Sequence, residues 1–250
     1  MYIASWSGGK DSTASIILAH IHGEPLDEII FSEVMYDESI SGELPEHIAY
    51  IHSCIPIFES WGYKVTILHA KKTYTDCFFH RVSNRSKNKD RVGKLAGFPM
   101  AQRCVINRDC KIKPIRDYLK EHSDALQYIG IAADEPQRFK VLSDNKVSLL
   151  AKYGYTESMA YDLCKEYGLL SPVYAFSERG GCWFCPNARH NELRHLYDNH
   201  RELFDKLTEL ERTPEIVGDV WNTLHRHSIQ DIEKSFKFDD SQVSFWELAQ

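Results

Sequence analysis

The sequence predicts an α/β fold with a mostly parallel sheet, followed by a helical C-terminal portion. Short apolar segments typical of strands alternate with segments of helical periodicity over the first 150 residues, and helical stretches dominate from Leu149 onward. Such alternation favours a parallel sheet with crossover helices. We therefore expect an α/β domain over residues 1–150 and a helical region over residues 151–250.

The elements of the first part follow from apolar spacing and from residues that stop helices. Tyr2–Trp6 is a short apolar strand, and the helix that starts at Asp11 ends near His22, before Gly23 and Pro25. The other predicted elements are, in order, strand Glu28–Met35, helix Pro45–Trp61, strand Lys64–His69, helix Lys113–Glu121 and strand Leu126–Ala132.

The second part is predicted to be helical over residues 156–167, 189–211 and 214–235, with one strand at Val173–Phe176. Five histidines lie here, and their spacing to carboxylates is not typical of a metal site. We interpret them as surface or packing residues: His190, His195, His200, His225 and His227.

Composition indicates a water-soluble protein. Hydrophobic residues make up 43% of the chain and charged residues 26%, which suits an ordinary core. No apolar run has the length of about 18–20 residues that a membrane helix needs. The first residues also lack the basic and apolar regions of a secretory signal, so we expect a cytoplasmic protein.

The net charge of −6 argues against a general nucleic-acid binder, but the charge is unevenly distributed. Eleven Lys or Arg residues lie between Arg81 and Arg116, and only Asp90 and Asp109 oppose them. Such a segment is either a solvated basic loop or a mobile loop that closes over phosphates or a nucleic-acid backbone.

A glycine-containing hexapeptide connects the first strand to the first helix. Glycines allow close backbone approach, and the start of a helix offers unpaired N–H groups to an anion. The spacing differs from the Walker A pattern. The alternative is an ordinary helix cap by Asp11 or Ser12. We predict that these residues bind the phosphates of ATP: Ser7, Gly8, Gly9, Lys10, Asp11 and Ser12.

Seven cysteines make a disulfide framework unlikely in a reducing compartment, and four of them have metal-like spacing. Cys182 and Cys185 form a Cys-x-x-Cys pair, and Cys104 and Cys110 form a second pair. Four thiolates hold Zn²⁺ or a 4Fe–4S cluster, and the spacing does not choose between them. The alternative is an isolated structural turn. The remaining three are expected to be buried apolar residues: Cys54, Cys77 and Cys164.

Further charged candidates follow the ends of predicted strands, where ligand-binding groups gather in open α/β sheets. Asp134 and Glu135 either hold Mg²⁺ or contact an acceptor, or they cap a helix. Arg138 pairs with a phosphate or with Glu135. Asp37 orients the ribose or a metal, or is a solvated surface acid.

Ser7–Ser12 resembles the PP-loop of the ATP-pyrophosphatase, or adenine nucleotide α-hydrolase-like, superfamily. The chain is similar in particular to the phosphoadenosine-phosphosulfate reductase-like branch over about residues 1–190. Four further stretches match motifs of that branch: Gly42–Glu46, Lys111–Pro114, Gly130–Arg138 and Pro172–Pro186.

The resemblance implies a doubly wound, HUP-like sheet with ATP and Mg²⁺ at the carboxyl ends of its strands. It implies that ATP is cleaved between its α and β phosphates, that an acceptor is adenylated, and that a sulfur or nitrogen nucleophile displaces AMP. Some relatives take part in DNA phosphorothioation, which makes nucleic acid bound by residues 81–116 a candidate acceptor. A sulfur-donor protein such as a cysteine desulfurase is a candidate partner. The residues expected to be catalytic are Lys10, Asp11, Asp134 and Glu135.

Two departures from the branch leave other functions open. The Glu-Cys-Gly-x-His motif of the sulfonucleotide reductases does not occur in these 250 residues, which argues against reductase chemistry. Ala132 and Ala133 stand where relatives have Arg-Ala before Asp134. A reductase-like enzyme and a nucleotide-sensing module without turnover remain the alternatives to a sulfur-transfer enzyme.

Overall fold

The computed structural model describes residues 1–100, 103–140, 142–222 and 227–248. Within these ranges the chain forms seven strands and ten α-helices. The strands are β1 Tyr2–Trp6, β2 Glu28–Glu33, β3 Lys64–His69, β4 Leu95–Gly97, β5 Leu126–Tyr128, β6 Lys146–Val147 and β7 Ile216–Gly218.

The helices cover the sheet and form most of the C-terminal part. They are α1 Lys10–His22, α2 Pro45–Ser60, α3 Tyr74–Phe78, α4 Lys113–Glu121, α5 Pro136–Phe139, α6 Leu149–Tyr153, α7 Glu157–Glu166, α8 His190–Asn199, α9 Arg201–Glu211 and α10 Ile229–Leu248.

The main sheet is parallel and has the strand order β3-β2-β1-β5-β6. Ala4 in β1 is in register with Ile29 of β2 and with Tyr128 of β5. The chain runs from β1 outward to β3 and then returns to pair β5 with the other side of β1. The order therefore reverses beside β1, and ligands of open α/β sheets bind outside the carboxyl ends of the strands at such a point.

Both faces of this sheet are covered. On one face, residues of α1, α2, α6 and α7 form a core around Trp6, Ile17, Phe31 and Phe58. On the other face, α4 packs with Ile115 against the buried Ile3, Ile30 and Ala125. Helices on both faces explain why β1 and β2 are almost continuously buried, as expected for a parallel sheet.

A second core lies beside the sheet and includes Phe184, Phe204, Trp221 and Phe236. It joins α3 to α8, α9 and α10, and the short parallel pair β4–β7 lies in the same part of the molecule. Each of the two larger cores takes residues from both sides of residue 150. The division into domains at that residue stays a prediction.

The prediction of a parallel α/β fold is confirmed, but several element boundaries were wrong. The predicted strand at Val173–Phe176 is a 3₁₀ turn over Pro172–Ala175, because Ser171 accepts the N–H of Val173 and Pro172 presets the helical φ. The predicted strand Leu126–Ala132 ends as β5 at Tyr128.

The helices predicted after residue 189 also needed correction. His200, with φ −136° and ψ 56°, interrupts the predicted 189–211 helix and separates α8 from α9. The predicted 214–235 helix contains β7, and α10 begins only at Ile229. His225 lies outside the described residues. None of the described helices has the length and apolar character needed to span a membrane.

Candidate functional site

The Ser7–Ser12 loop connects the carboxyl end of β1 to α1, beside the point where the strand order reverses. Gly8 has a φ of +71°. A Cβ atom at this position would lie 2.5 Å from Ile51 Cδ1 and 2.7 Å from His47 Cε1. Both the left-handed backbone and the close approach of α2 therefore require glycine.

The loop is closed by its own hydroxyl groups. The Ser7 N–H donates to Ser12 Oγ at 3.1 Å, and Ser12 Oγ donates to the Gly9 carbonyl at 3.0 Å. Gly9 is the N-cap of α1, and no side-chain hydrogen bond caps this helix. The alternative of an ordinary cap by Asp11 or Ser12 is therefore wrong, and the start of α1 keeps its capacity to bind an anion.

Lys10 contacts three side chains: that of its neighbour Asp11 and those of two residues distant in the sequence, Glu157 and Tyr174. Its backbone N–H donates to the Tyr174 hydroxyl at 2.8 Å. Its Nζ lies 2.7 Å from Glu157 Oε2 and 3.0 Å from Asp11 Oδ1. Two carboxylates therefore neutralise the lysine that was predicted to contact the phosphates.

The pKa values at this pair are shifted in the same direction. Burial lowers the pKa of Lys10, but the hydrogen bonds to Glu157 and Asp11 outweigh burial and raise it above its usual value. For Asp11, burial raises the pKa above its usual value, and the hydrogen bond with Lys10 only partly offsets this increase. Lys10 thus carries its positive charge at neutral pH.

The loop after β5 directly meets the Ser7–Ser12 loop, which we call the phosphate loop for its predicted role. A Cβ atom at Gly130 would lie 2.5 Å from the Ser12 nitrogen, so the two loops are in backbone contact. Further along, Asp134 Oδ1 accepts the Glu157 N–H at 3.1 Å. Glu135 lies close enough to Asp11 for its charge to raise the pKa of that carboxyl. The predicted acids therefore surround the start of α1.

The other two charged candidates make local contacts. Arg138 Nη1 lies 2.8 Å from Glu135 Oε2. Of its two predicted partners, a phosphate or Glu135, Arg138 therefore contacts Glu135. Asp37 Oδ1 accepts the N–H groups of Ser39 and Ile40, each at 2.8 Å. These bonds outweigh burial and lower the pKa of Asp37. Asp37 therefore stabilises a turn after β2.

The buried His47 of α2 packs against the Ser7–Ser12 loop at Gly8. His47 Nδ1 lies 2.7 Å from Ser171 Oγ, and its Nε2 has no hydrogen-bond partner among the described residues. The nearest carboxylate oxygen, Glu43 Oε2, is 3.8 Å from that nitrogen. The same ring is the one that a side chain at Gly8 would strike.

Three of the four candidate metal cysteines line one cavity of about 300 Å³: Cys104, Cys182 and Cys185. Lys111 and Arg179 line it too, so positive charge faces the thiols. Arg179 Nη2 is 3.8 Å from Cys185 Sγ. Burial raises the pKa of the Cys182 thiol well above its usual value and also raises that of Cys104.

The fourth candidate, Cys110, is fully buried and is absent from the lining of this cavity. Its thiol donates to the Thr73 carbonyl at 4.0 Å and lies beside the Cys77 thiol, and the interaction between the two thiols lowers the pKa of Cys77. Cys54, Cys77 and Cys164 are buried, as predicted. The structure therefore separates the predicted set into three cavity cysteines and one buried cysteine that pairs with Cys77.

Several residues of this region were missed at the level of sequence. Tyr174 was assigned to a strand, and Glu157 carried no signal because it contacts Lys10 across 147 residues. Glu46, His195 and His200 bring three potential ligand atoms within 4.8 Å of one another. The two histidines had been interpreted as surface or packing residues, because their partner lies on a distant helix.

The comparisons with known proteins found two similar proteins, and no family model matches the sequence. An uncharacterised protein of Methanocaldococcus jannaschii is 24% identical over 221 residues, which cover 82% of this chain and 46% of the relative. The chain thus spans about half the length of the curated relative that it matches.

Among solved structures, the U34-tRNA thiolase NcsA from Methanococcus maripaludis with its 4Fe–4S cluster is similar to this chain with a TM-score of 0.42. The sequence identity is 14%, and the match covers 94% of this chain and 71% of that chain. The function of this chain therefore has to be inferred from its own residues.

Proposed function

We propose that this chain is an ATP-pyrophosphatase-type enzyme that adenylates an acceptor and supports sulfur transfer, with nucleic acid as the acceptor class. The observation that carries the proposal is the Ser7–Ser12 loop. It lies at the reversal point of a parallel sheet, has an obligatory glycine at position 8, and leads into a helix without a side-chain cap. This combination suits the phosphates of a nucleotide.

The charge of Lys10 fits the release of pyrophosphate. Pyrophosphate gains negative charge as it leaves, and a lysine at the helix start stabilises that charge. Lys10 now contacts Asp11 and Glu157, so bound phosphates would compete with these carboxylates for its ammonium group. Glu157 is the weaker competitor because half of its side chain is exposed.

Mg²⁺ fits beside the loop on the chemistry of the available donors. Asp11 lies within electrostatic range of both Glu135 and Glu157, and Mg²⁺ binds to carboxylates together with substrate phosphates. Asp11, Asp134 and Glu135 are the residues that would hold it. The ion would offset the repulsion between these acids and a triphosphate.

The proposed reaction has two steps. An acceptor oxygen attacks the α phosphorus, and the bond from that phosphorus to pyrophosphate breaks. A sulfur nucleophile then attacks the adenylated carbon, and the carbon–oxygen bond breaks to release AMP. Sulfide would provide the sulfur directly. A persulfide supplied by a donor protein such as a cysteine desulfurase would leave the acceptor linked to the donor by an S–S bond, which a second thiol would have to cleave by exchange to release the thiolated acceptor.

The cavity cysteines fit a metal–sulfur group. Among the described residues, the one group of three or more potential ligands within 4.8 Å contains no cysteine. Sulfurs bound to a single tetrahedral zinc ion lie only about 3.8 Å apart. The wider separation favours a 4Fe–4S cluster held by Cys104, Cys182 and Cys185, and such a cluster would supply a binding position for sulfur. Cys110 would join it only by leaving Cys77.

The basic segment supports a nucleic-acid acceptor because it leads to this cavity. Its lysines and arginines are exposed along residues 81–94, and Pro99, Asn107 and Lys111 of the same segment line the cavity. Cationic side chains bind the phosphate backbone without regard to sequence. A strand bound there would pass beside the thiols.

Pyrophosphate release from ATP tests this proposal. The 250-residue chain is incubated anaerobically with ATP, Mg²⁺ and either total tRNA or DNA, and Lys10→Ala is compared with Lys165→Ala. Lys165 is an exposed lysine on α7 and serves as the control. We expect Lys10→Ala to reduce the rate by about 100-fold or more and Lys165→Ala to leave it unchanged.

Three outcomes would separate the proposal from its alternatives. Formation of ADP and phosphate would show cleavage at the wrong bond. ATP binding without pyrophosphate in the presence of every acceptor would favour a nucleotide-sensing module. Equal rates for Lys10→Ala and the wild type would remove the role of the loop in catalysis.

A further inference from the structure

A cluster outside the phosphate loop and the cysteine cavity joins three helices. Glu46 belongs to the first turn of α2, His195 to α8, and His200 precedes the first residue of α9. His195 Nε2 lies 2.6 Å from Glu46 Oε1, and His200 Nε2 lies 2.8 Å from Glu46 Oε2. Both carboxylate oxygens therefore face an imidazole nitrogen.

We propose that Glu46, His195 and His200 form a binding site for a divalent first-row transition metal ion, with zinc as the best match. Two imidazoles and one carboxylate are a ligand set of zinc sites that keep a fourth position for water. Between 16% and 25% of each side chain is exposed, so the cluster borders the solvent. This proposal does not rest on the proposed function.

The contact between Glu46 and His200 favours an ion over a simple ion pair. Glu46 Oε2 is buried and has no hydrogen-bond partner among the described residues, although His200 Nε2 is 2.8 Å away. The two atoms are thus close without the alignment of a hydrogen bond. Buried polar atoms are rarely left without a partner. A metal ion bound to Glu46 Oε2 and His200 Nε2 would give this oxygen a partner.

The His195 ring is held in place from two sides. It stacks on Phe176 with ring centroids 3.6 Å apart and an angle of 6° between the planes. Its Nδ1 accepts a hydrogen bond from Asn199 Nδ2 at 3.2 Å, so in this arrangement the ring proton is on Nε2 and points to Glu46. A metal-binding histidine commonly donates the N–H of its other ring nitrogen to an acceptor. Metal binding at Nε2 therefore requires the ring proton to move to Nδ1 and the Asn199 amide to turn so that its Oδ1 accepts.

The neighbouring arginines do not compete for the carboxylate. Arg194, next to His195, pairs with Asp198 and Asp240. Arg201, next to His200, pairs with Asp205 and Glu233. In the described part of the chain, these two cations are therefore directed to other acids, and the two imidazoles remain the partners of Glu46.

A small opening of the cluster would admit the ion. Two ligand atoms bound to one tetrahedral zinc ion at about 2.1 Å lie about 3.4 Å apart. The present separations of 2.6 and 2.8 Å would have to increase by less than about 1 Å. Because Phe176 and Asn199 hold the His195 ring, the Glu46 carboxylate and the His200 ring are the groups that would have to move.

Zinc titration of the full chain tests the site, with the cysteines left intact in every variant. We expect His200→Ala and Glu46→Gln to bind one zinc ion fewer than the wild type, or to bind it at least about 100-fold more weakly. His190→Ala serves as the control because His190 lies on α8 but packs against Phe236. Mg²⁺ is expected not to compete for the site.

A second measurement uses the wild-type protein and does not depend on how the variants fold. Copper and ascorbate oxidise side chains that bind the metal, and peptide mass spectrometry locates the damage. We expect oxidation at His195 and His200 well above that at His190, with protection by zinc. Equal oxidation of all three, or equal zinc binding by the wild type and His200→Ala, would show an ion-pair cluster only and overturn the proposal.

Discussion

The phosphate loop and the cysteine cavity are built in opposite ways. The loop backbone is closely packed on both sides: Gly8 lies against the side chains of His47 and Ile51, and Gly130 lies against the Ser12 nitrogen. The cavity is an open space of about 300 Å³ between side chains of separate segments. One site is therefore defined by where the backbone runs, and the other by which side chains surround an empty volume.

This difference separates the two proposed activities. A change in the loop alters backbone conformation, so its effects on stability and nucleotide binding are linked. A change at a cavity cysteine removes a proposed ligand without disturbing the backbone path, so we expect metal binding to be lost while nucleotide binding remains. Substitutions that affect nucleotide binding or metal binding alone test whether the phosphate loop and the cysteine cavity are independent sites.

The largest effect is expected from Gly8→Ala. Alanine disfavours a φ of +71°, and its Cβ would lie 2.5 Å from Ile51 Cδ1 and 2.7 Å from His47 Cε1. We expect a loss of about 2–4 kcal/mol in the free energy of unfolding, together with loss of ATP binding. Denaturant titration and isothermal titration calorimetry with a non-hydrolysable ATP analogue measure the two effects.

Gly23→Ala provides the matched control at the other end of the same helix. Gly23 has a φ of +62°, but no atom of the described residues lies within 4 Å of the position that an alanine methyl group would take. This variant should lose only about 1 kcal/mol, from the backbone term, and should bind the analogue normally. Similar results for the two variants would mean that the contact with α2 does not define the loop.

The next effect concerns the cavity. Cys182→Ala removes one of three thiols that line it, and we expect the iron or zinc content of anaerobically purified protein to fall several-fold. ATP affinity should stay within about twofold, because the substitution leaves the phosphate loop intact. Metal analysis with a visible spectrum distinguishes an iron–sulfur cluster from zinc.

Cys54→Ala separates loss of a ligand from loss of stability. Cys54 is buried in the core beneath the sheet, so its removal leaves a small cavity and destabilises the fold without touching the thiol cavity. It should retain its metal. A Cys182→Ala protein with full metal content would remove the cavity as a metal site, and coupled loss of metal and ATP binding would contradict the separation of the two sites.

The same contrast explains what the sequence could predict. The phosphate loop was found because its signal is local: a strand, two glycines and the start of a helix lie within the first twelve residues. The parallel sheet was found because apolar periodicity is also local. Cys110 was grouped with the cavity thiols because spacing along the chain does not show that its thiol turns toward Cys77.

Contacts over long separations account for the other misses. Tyr174 and Glu157 contact Lys10 from 164 and 147 residues away, and no local pattern marks either of them. The two histidines that meet Glu46 were judged by their spacing within the C-terminal part, whereas their partner lies on α2. Such groupings depend on the packing of helices, which apolar periodicity does not specify.

The smallest effect is expected from Glu157→Gln. This variant tests whether the ion pair between Glu157 and Lys10 limits nucleotide binding. Glu157 Oε2 lies 2.7 Å from Lys10 Nζ, but half of the glutamate side chain is exposed. Solvent screening therefore limits the loss of stability to about 1 kcal/mol or less. Since phosphates would compete with this carboxylate for Lys10, the affinity for the ATP analogue should rise about two- to fivefold.

Glu166→Gln is the control, because it removes the same charge from an exposed position at the other end of α7. Calorimetry at two salt concentrations distinguishes a local contact from the overall change in net charge, which both variants share. Weaker binding by Glu157→Gln would mean that Glu157 helps to place Lys10 for the phosphates. The carboxylate would then belong to the binding site itself, and the loop would need its partner on α7 to hold a nucleotide.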